Sequence, residues 1–159
     1  MGKDLVNVIG LGYIGLPTAM MMSSHGVKVI GTDYNEALVE SLQAGHLTFQ
    51  EEGLEELFSQ ALEGGIQFSS AYSHEADIYI VSVPTPYDKK SKRIDPHYVV
   101  SAVNQVMDVC RKGAIIAVES TISPGTIDKF VRPLAAQHGM KVGASGPRAG
   151  ADHSRQHGL

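Results

Sequence analysis

The sequence predicts an α/β protein, formed as a single domain around a doubly wound parallel sheet. Short apolar runs typical of β-strands alternate along the chain with segments whose apolar residues recur at helical spacing. Some of these strand candidates are almost wholly apolar, as expected for strands that helices cover on both faces. With 159 residues and 43% hydrophobic content, the chain can bury one sizeable core. Repeated strand and helix units of this length indicate right-handed crossovers.

The first part of the chain reads as two strand and helix pairs. The run "LVNVIG" (5–10) predicts a strand, and the segment 13–26 predicts a helix that a glycine closes. A second strand is expected over 27–33. Asn35 can cap a short helix that stops at Gly45.

The remaining elements follow the same alternation. The segment 53–65 places leucine, phenylalanine and alanine on one helix face and ends in a glycine pair. Asp95 can cap a further helix with Pro96 as its first residue, after a polar loop that contains two prolines. The other predicted elements are a short strand "IQF" (66–68), a strand over 76–84, a strand over 114–120, a helix over 125–139 and a last strand over 140–142.

Composition argues against several classes of function. The formal net charge is −4 and no basic stripe is present, so we expect no nucleic-acid partner. No run approaches about 18 apolar residues and no secretory signal is visible, so we expect no membrane segment and a cytoplasmic location. The single cysteine, Cys110, cannot form an internal disulfide.

No metal site is predicted either. Cys110 continues the apolar stripe of its predicted helix, and we interpret it as a buried core thiol. His153 and His157 are four residues apart, but the glycine-rich segment around them has little helix propensity, so we interpret them as solvated.

The strongest local motif is "VIGLGYIGLP" (8–17), a G-x-G-x-x-G pattern between the first strand and the first helix. Gly10 allows a tight turn, Gly12 lets the backbone approach a pyrophosphate, and Gly15 permits close packing of the helix. The helix N-terminus then presents free N–H groups to phosphate oxygens. Because this pattern alone is weak, its context matters, and the strand, the helix and a later acid are all present. The motif therefore predicts a Rossmann-type dinucleotide site.

That later acid is Asp33, at the end of the second strand. Its carboxylate can accept hydrogen bonds from both ribose hydroxyls of an adenosine and would repel a 2′-phosphate. Tyr34, Asn35 and Glu36 supply no cation for such a phosphate, which favours NAD over NADP. The alternative is that Asp33 serves as a turn residue or as a cap for the next helix.

Further polar residues follow the other strands. Thr85 comes after the strand 76–84, and Glu119, Ser120 and Thr121 come at the end of the strand 114–120. Because parallel strands end at one edge of a sheet, we expect these residues to meet the glycine motif in one crevice. Each hydroxyl could also be an ordinary cap or turn residue.

At these strand ends the chain resembles the UDP-glucose/GDP-mannose dehydrogenases, NAD-dependent enzymes that oxidise a nucleotide sugar to its uronic acid. The resemblance rests on "VIGLGYIGLPTA", "GTDYNEALVESLQAG", "EEGLEELFSQALEGG", "ADIYIVSVPTP" and "AIIAVESTISPGTIDKF", which cover most of residues 5–130. Within the family, "ESTISPGT" and the length of the loop before the fourth helix are most similar to the UDP-N-acetyl-D-mannosaminuronate dehydrogenases.

This resemblance implies two successive hydride transfers to NAD, through an aldehyde that a cysteine thiolate captures and a thioester that water hydrolyses. By similarity, the cofactor contacts are made by the glycine motif, the ribose acid and the fourth strand's end, namely Gly10, Gly12, Tyr13, Ile14, Gly15, Asp33, Val83, Pro84 and Thr85. Thr121 matches a threonine at the reacting centre that helps to position a water, which makes it both a catalytic and a cofactor-binding candidate. Glu119 could be catalytic or structural.

Other parts of the family pattern are missing. The Gly-Gly-His-Cys-like motif of the nucleophile is not in the sequence, and Cys110 does not replace it. We therefore expect the chain to bind NAD without completing the reaction, and expect a UDP-sugar substrate and homo-oligomer contacts only in the full-length enzyme. The alternatives are another member, acting on UDP-glucose or GDP-mannose, and a non-catalytic NAD-binding module.

The last residues depart from the family pattern. We place the NAD-binding domain at 1–143 and interpret 144–159, "ASGPRAGADHSRQHGL", as a disordered tail. Back-translation shifted by one base permits Ile-Ile-Pro-Gly-Asn-Met, which resembles the family's continuation and suggests a frameshifted end. Sequencing of the encoding DNA tests this hypothesis, and an intact frame with no family-like continuation in the displaced frame would refute it.

Overall fold

The computed structural model describes residues 4–71 and 74–142, and the predicted tail lies outside them. Its centre is a five-stranded parallel sheet formed by β1 (Leu5–Ile9), β2 (Lys28–Thr32), β3 (Gln67–Ser69), β4 (Ile78–Val81) and β7 (Ile115–Val118). The strand order in this sheet is β3-β2-β1-β4-β7. The helices are α1 (Gly15–Ser24), α2 (Glu36–Gln43), α3 (Leu54–Glu63), α4 (His97–Val109) and α5 (Arg132–Gln137). The doubly wound α/β architecture predicted from the sequence is confirmed.

Helices cover both faces of the sheet, and the apolar residues of the central strands β1 and β4 alternate between two cores. In β1, Val6 and Val8 pack with α1, α2 and α3, whereas Ile9 packs with α4 and α5. β4 divides in the same way, since Ile80 contacts the first core and Tyr79 belongs to the second. The central strands are therefore covered by helices on both faces. β1 and β4 pair in parallel, with Ile9 opposite Val81, so their carboxyl ends lie side by side.

Helix starts follow the predicted capping chemistry. Asn35 accepts a hydrogen bond from the Leu38 N–H at 3.2 Å, so the predicted cap of α2 is present. Asp95 accepts from the His97 N–H at 2.9 Å, although α4 begins at His97 rather than at Pro96. The predicted first helical residue is thus displaced by one position.

Three local expectations differ from the structure. The loop after β4 contains a two-stranded hairpin, β5 (Tyr87–Asp88) with β6 (Arg93–Ile94), which its polar composition did not reveal. The predicted helix over 125–139 begins as a π-helical segment, Ile127–Val131, before α5. No strand forms over 140–142 within the described residues, because nothing there pairs with β7.

One residue of the predicted apolar face of α3 does not reach the core. Leu54 and Phe58 are buried as expected, but Leu62 is 45% exposed. α3 packs on α1, and Gly64 sits so close to the carbonyl of Ser23 that a side chain there would collide. Leu62 instead borders an open cavity together with Leu42 and Ile66.

Candidate functional site

The glycine motif forms a loop between β1 and α1 whose shape depends on two of its glycines. Gly10 has a φ of +96°, and a Cβ there would lie 2.6 Å from the carbonyl carbon of Ser82. A Cβ on Gly15 would overlap the carbonyl oxygen of Gly10 and lie 3.3 Å from the Cβ of Ser82. These contacts exclude any side chain, so the loop folds tightly against the end of β4.

Gly12 has a different role from the other two glycines. A Cβ at this position would meet nothing within 4 Å, so packing of the described chain does not require a glycine here. The space lies open in front of the backbone where α1 begins, and Tyr13 and Ile14 beside it are 73% and 61% exposed. This is the arrangement that a phosphate group needs in order to approach backbone N–H groups.

Asp33 joins the glycine loop to the start of α2. One carboxylate oxygen accepts a hydrogen bond from the Leu11 N–H at 2.9 Å, and the other accepts from the Asn35 N–H at 2.9 Å. The turn role that we weighed as the alternative for Asp33 is therefore present in the structure. Since a carboxylate oxygen can accept more than one hydrogen bond, the side chain keeps capacity for ribose hydroxyls.

The ends of β4 and β7 meet on the other side of the loop. The Ser82 N–H donates to the Ile9 carbonyl at 2.7 Å, and the Glu119 N–H donates to the Val81 carbonyl at 2.8 Å. Ser120 Oγ donates to the Val83 carbonyl at 2.8 Å, which ties the two strand ends together beyond the sheet. Ser120 thus has a structural partner, while Thr121 is exposed.

These segments enclose a crevice of about 420 Å³ at the carboxyl edge of the sheet. Every predicted cofactor-binding residue lines it except Gly15, which lies beneath the loop. The lining consists of Gly10, Leu11, Gly12, Tyr13, Ile14, Asp33, Tyr34, Asn35, Leu38, Ser82, Val83, Pro84, Thr85, Glu119, Ser120 and Thr121. Lysine and arginine are absent from this lining, so a phosphate here would be held by backbone N–H groups.

Sequence reasoning missed several members of this lining. Leu11 supplies the N–H for Asp33, and Ser82 supplies the wall against Gly10 and Gly15. Leu11 lies between Gly10 and Gly12, and Ser82 directly precedes "VPTP". Neither residue type signals a ligand by itself, and only the parallel pairing of β4 with β1 brings Ser82 to the loop.

Cys110 lies outside the crevice, but it is half-buried and follows the last residue of α4, rather than being fully buried on that helix as predicted. It follows α4 and contacts the second core, with its Sγ 4.0 Å from the Sδ of Met140. Burial raises the pKa of the Cys110 thiol, which disfavours the reactive thiolate.

The part of the chain that the structure describes contains no group of three or more histidine, cysteine, aspartate or glutamate side chains that could hold a metal ion. None of its helices is long and apolar enough to cross a membrane.

Comparison with known proteins identifies the family to which this glycine loop and crevice belong. Residues 4–147 match the model of the UDP-glucose/GDP-mannose dehydrogenase family, NAD binding domain. The chain belongs to this family. Its cofactor is accordingly NAD, and the open space at Gly12 beside the start of α1 fits a dinucleotide pyrophosphate.

Individual relatives agree with the family match. The chain is 41% identical over 137 residues to UDP-N-acetyl-D-mannosamine dehydrogenase of Methanococcus aeolicus, covering 85% of this chain and 31% of the relative. It is 39% identical over 135 residues to the Escherichia coli K12 protein of the same name, covering 85% and 32%. The solved UDP-N-acetyl-mannosamine dehydrogenase of Staphylococcus aureus superposes with a TM-score of 0.82 at 38% identity, covering 87% and 34%. The chain thus spans about a third of the length of the relatives it matches.

Proposed function

We propose that this chain is the cofactor-binding part of a dehydrogenase that oxidises the C6 alcohol of UDP-N-acetylmannosamine to the uronic acid. The observation that carries the proposal is the single crevice in which the glycine loop, Asp33 and the ends of β4 and β7 meet. The substrate is proposed from the names of the relatives, several of which are UDP-N-acetyl-D-mannosamine dehydrogenases. NAD supplies the hydride acceptor for two successive oxidations.

The glycine loop holds the pyrophosphate in this proposal. Backbone N–H groups of Tyr13 and Ile14, at the start of α1, donate to the phosphate oxygens, and Gly12 leaves room for them. Gly10 and Gly15 act indirectly, since they permit the tight fold of the loop. Because the lining offers no lysine or arginine, these N–H groups carry the binding of the phosphate charge.

Asp33 fixes the adenosine ribose in this proposal. Its two hydrogen bonds from Leu11 and Asn35 hold the carboxylate in one orientation at the crevice wall. The carboxylate can accept a further hydrogen bond from a free 2′-hydroxyl, and its negative charge repels a 2′-phosphate. The site therefore prefers NAD to NADP.

The other end of the crevice belongs to the reacting centre. Val83, Pro84 and Thr85 border the cofactor there, and the Thr121 hydroxyl orients a water close to the substrate. Ser120 supports this placement, because its bond to the Val83 carbonyl links the segment of Thr121 to the segment of Thr85. Glu119 lines the same end and has an exposed carboxylate.

Calorimetric titration with NAD and NADP tests the cofactor site. We expect NAD to bind at least about tenfold more tightly than NADP, and we expect Asp33→Asn to weaken NAD binding and narrow that difference. Glu40→Gln is the matched control, since it removes a charge from the exposed side of α2, outside the crevice. Binding of neither dinucleotide, or a preference for NADP, would refute the role of Asp33.

Turnover by the chain itself is a separate question. The sequence holds no Gly-Gly-His-Cys motif, so we expect the purified chain to show no reduction of NAD with UDP-N-acetylmannosamine. The measurement is nicotinamide absorbance, with UDP-glucose and GDP-mannose as the substrates of the alternative family activities. Turnover on any of them would show that the chain is catalytically complete. A role as a non-catalytic NAD-binding module would instead predict binding without turnover even when the chain is joined to the missing part of a relative.

A further inference from the structure

The two edge strands of the parallel sheet differ in how they are protected. The edge strand β3 has three residues, of which two are polar, and its Phe68 carbonyl accepts a hydrogen bond from Gln43 Nε2 at 2.8 Å. The edge strand β7 holds only apolar residues, with no charge, proline or glycine. Natural sheets protect exposed edges with short strands, charges or prolines, because a bare apolar edge pairs readily with another strand. The composition of β7 is therefore that of a strand with a partner.

The backbone of β7 offers hydrogen-bonding groups at this edge. The Ile115 N–H donates to the Asp77 carbonyl at 3.0 Å, on the side of β4. Successive residues of a strand direct their backbone groups to opposite sides, so the N–H and C=O groups of Ile116 and Val118 are directed away from β4. These groups form a pairing site for one further strand.

The side chains of β7 also lack cover within the described residues. Ile115 is 61% exposed, and Ile116 and Val118 are half-buried where they line the open cavity between β7 and α5. Most of the lining of this cavity is apolar, including Val103 and Val131. A strand laid along β7 would place its own side chains over this region and remove apolar surface from water.

We propose that a second copy of this chain occupies the edge, so that two chains pair through β7 in antiparallel orientation. The charges on either side of the strand favour this arrangement, because Arg111 and Lys112 precede β7 and Glu119 follows it. In an antiparallel pair the basic end of each strand lies near the acidic end of the other, whereas a parallel pair would set like charges together. Antiparallel pairing also closes about a two-fold axis and leaves no free β7 edge for further copies.

The backbone pattern also selects the register of this pair. Ile116 of each copy exchanges both backbone hydrogen bonds with Val118 of the other, and the two-fold axis passes between the two Ala117 residues. Opposite residues without mutual hydrogen bonds approach to about 4.5 Å between Cα atoms, so the smallest side chain of the strand lies at the closest contact. A register centred on Ile116 would need the Ala114 N–H, which already donates to the Arg111 carbonyl at 3.1 Å.

The residues that follow 142 are a poorer occupant by composition. The segment 143–159 contains four glycines and one proline, and Leu159 is its only aliphatic side chain larger than alanine. Glycine and proline are depleted in strands, and so few apolar side chains would cover little of the cavity.

The dimer is expected to be weak because β7 has only four residues. Interfaces smaller than about 1,200 Å² are typical of transient contacts, and we expect a Kd of about 10–100 µM. Unfolding experiments at about 1 µM protein accordingly report the properties of the single chain.

Sedimentation equilibrium of the full chain tests the proposal. We expect the average mass to rise from that of one chain, 17.0 kDa, towards twice that value between about 1 and about 500 µM protein. Ala117→Lys and Ala117→Glu should each raise the dimer Kd at least about tenfold, because like charges then face each other across the axis. An equimolar mixture of these two variants should restore association, because each lysine then faces a glutamate.

Two further variants complete the comparison. Gln67→Lys is the matched control, since it adds the same charge to the exposed first residue of the opposite edge strand, and it should leave association unchanged. Lys112→Glu should raise the dimer Kd about threefold or more, because both ends of β7 are then acidic. Thermal unfolding at about 1 µM shows whether each variant is folded.

Hydrogen exchange distinguishes a second copy from other occupants of the edge. The N–H groups of Ile116 and Val118 should exchange freely at about 1 µM protein and become protected at about 500 µM. Protection at both concentrations would show that the chain's own residues cover β7, and the proposal would be wrong. A chain that stays monomeric throughout, species larger than a dimer, or a mixture of the two Ala117 variants that fails to associate would each overturn it as well.

Discussion

The closed centre of the sheet and its β7 edge are covered to different degrees within the described residues. Around the centre, side chains such as Leu16, Met20 and Leu42 are completely buried. At the edge, β7 has no fully buried residue, and its Ile115 is 61% exposed. A cavity of about 700 Å³ lies between β7, the π-helical segment and α5.

The cofactor crevice spans this difference. The side of the crevice that we propose for adenosine is formed by the glycine loop and Asp33, next to the closed centre of the sheet, whereas Glu119, Ser120 and Thr121 follow the half-exposed edge strand β7. Substitutions on the two sides should therefore differ in cost.

The largest loss of stability is expected from a substitution in the glycine loop, next to the closed centre of the sheet. Gly15→Ala would drive a methyl group into the Gly10 carbonyl, and we expect it to lower the free energy of unfolding by at least about 3 kcal/mol and to abolish NAD binding. Gly12→Ala is the matched control. It should change stability by less than about 0.5 kcal/mol, because its Cβ meets nothing, while weakening NAD binding about tenfold or more.

Urea unfolding and calorimetry measure the two effects. Equal stability of the two variants would show that the loop can relax away from Ser82 and Gly10. Unchanged NAD affinity in Gly12→Ala would show that the pyrophosphate does not approach the backbone at this residue.

An intermediate effect compares a fully buried side chain with an exposed one on the edge strand. Leu42→Ala removes a fully buried side chain of α2, and we expect it to lower the free energy of unfolding by about 2–5 kcal/mol. Ile115→Ala in β7 should cost less than about 1 kcal/mol, because most of that side chain is already in water. The measurement is urea unfolding of both variants. A larger loss for Ile115→Ala would mean that β7 is covered in the protein in solution.

The smallest effect concerns the pH dependence of stability at His138, just after α5. The His138 Nδ1 lies 2.9 Å from the Leu134 carbonyl, and its Nε2 lies 2.9 Å from the Asp108 carboxylate. The Leu134 carbonyl first, and then Asp108, raise the pKa of the His138 imidazole. A raised pKa means that folding favours the protonated ring. The stabilisation is therefore complete below the unfolded-state pKa of about 6.5 and is lost as the pH rises through the folded-state pKa.

Thermal unfolding between pH 5.5 and about 8.5 checks this sign. We expect the wild-type Tm to carry a small decrease over that range that His138→Gln removes, and that Asp108→Asn reduces only in part because the Leu134 carbonyl remains. A decrease that is unchanged in His138→Gln would assign the pH dependence to another group.

Much of the fold could be predicted because its signals are local. The alternation of apolar runs, the cap at Asn35 and the glycine spacing depend on neighbours along the chain, so the strand and helix order followed from them. The hairpin of β5 and β6 escaped prediction because two residues per strand give no periodicity. The strand expected over 140–142 was wrong, since three apolar-rich residues cannot show whether a partner strand is available.

The candidate site also has features that the sequence predicts and features that depend on the tertiary structure. The sequence by itself determined the residue types at the strand ends, and their order along a parallel sheet made one crevice the natural expectation. Only the tertiary structure decided that Asp33 already accepts two backbone N–H groups, and that Ser120 bonds to the Val83 carbonyl. It also placed Tyr98 of α4 beside Tyr34. Apart from the bond from the Asn35 N–H, these contacts join residues far apart in the chain. The strand order and sheet register that create them are set by packing of the whole core rather than by any local pattern.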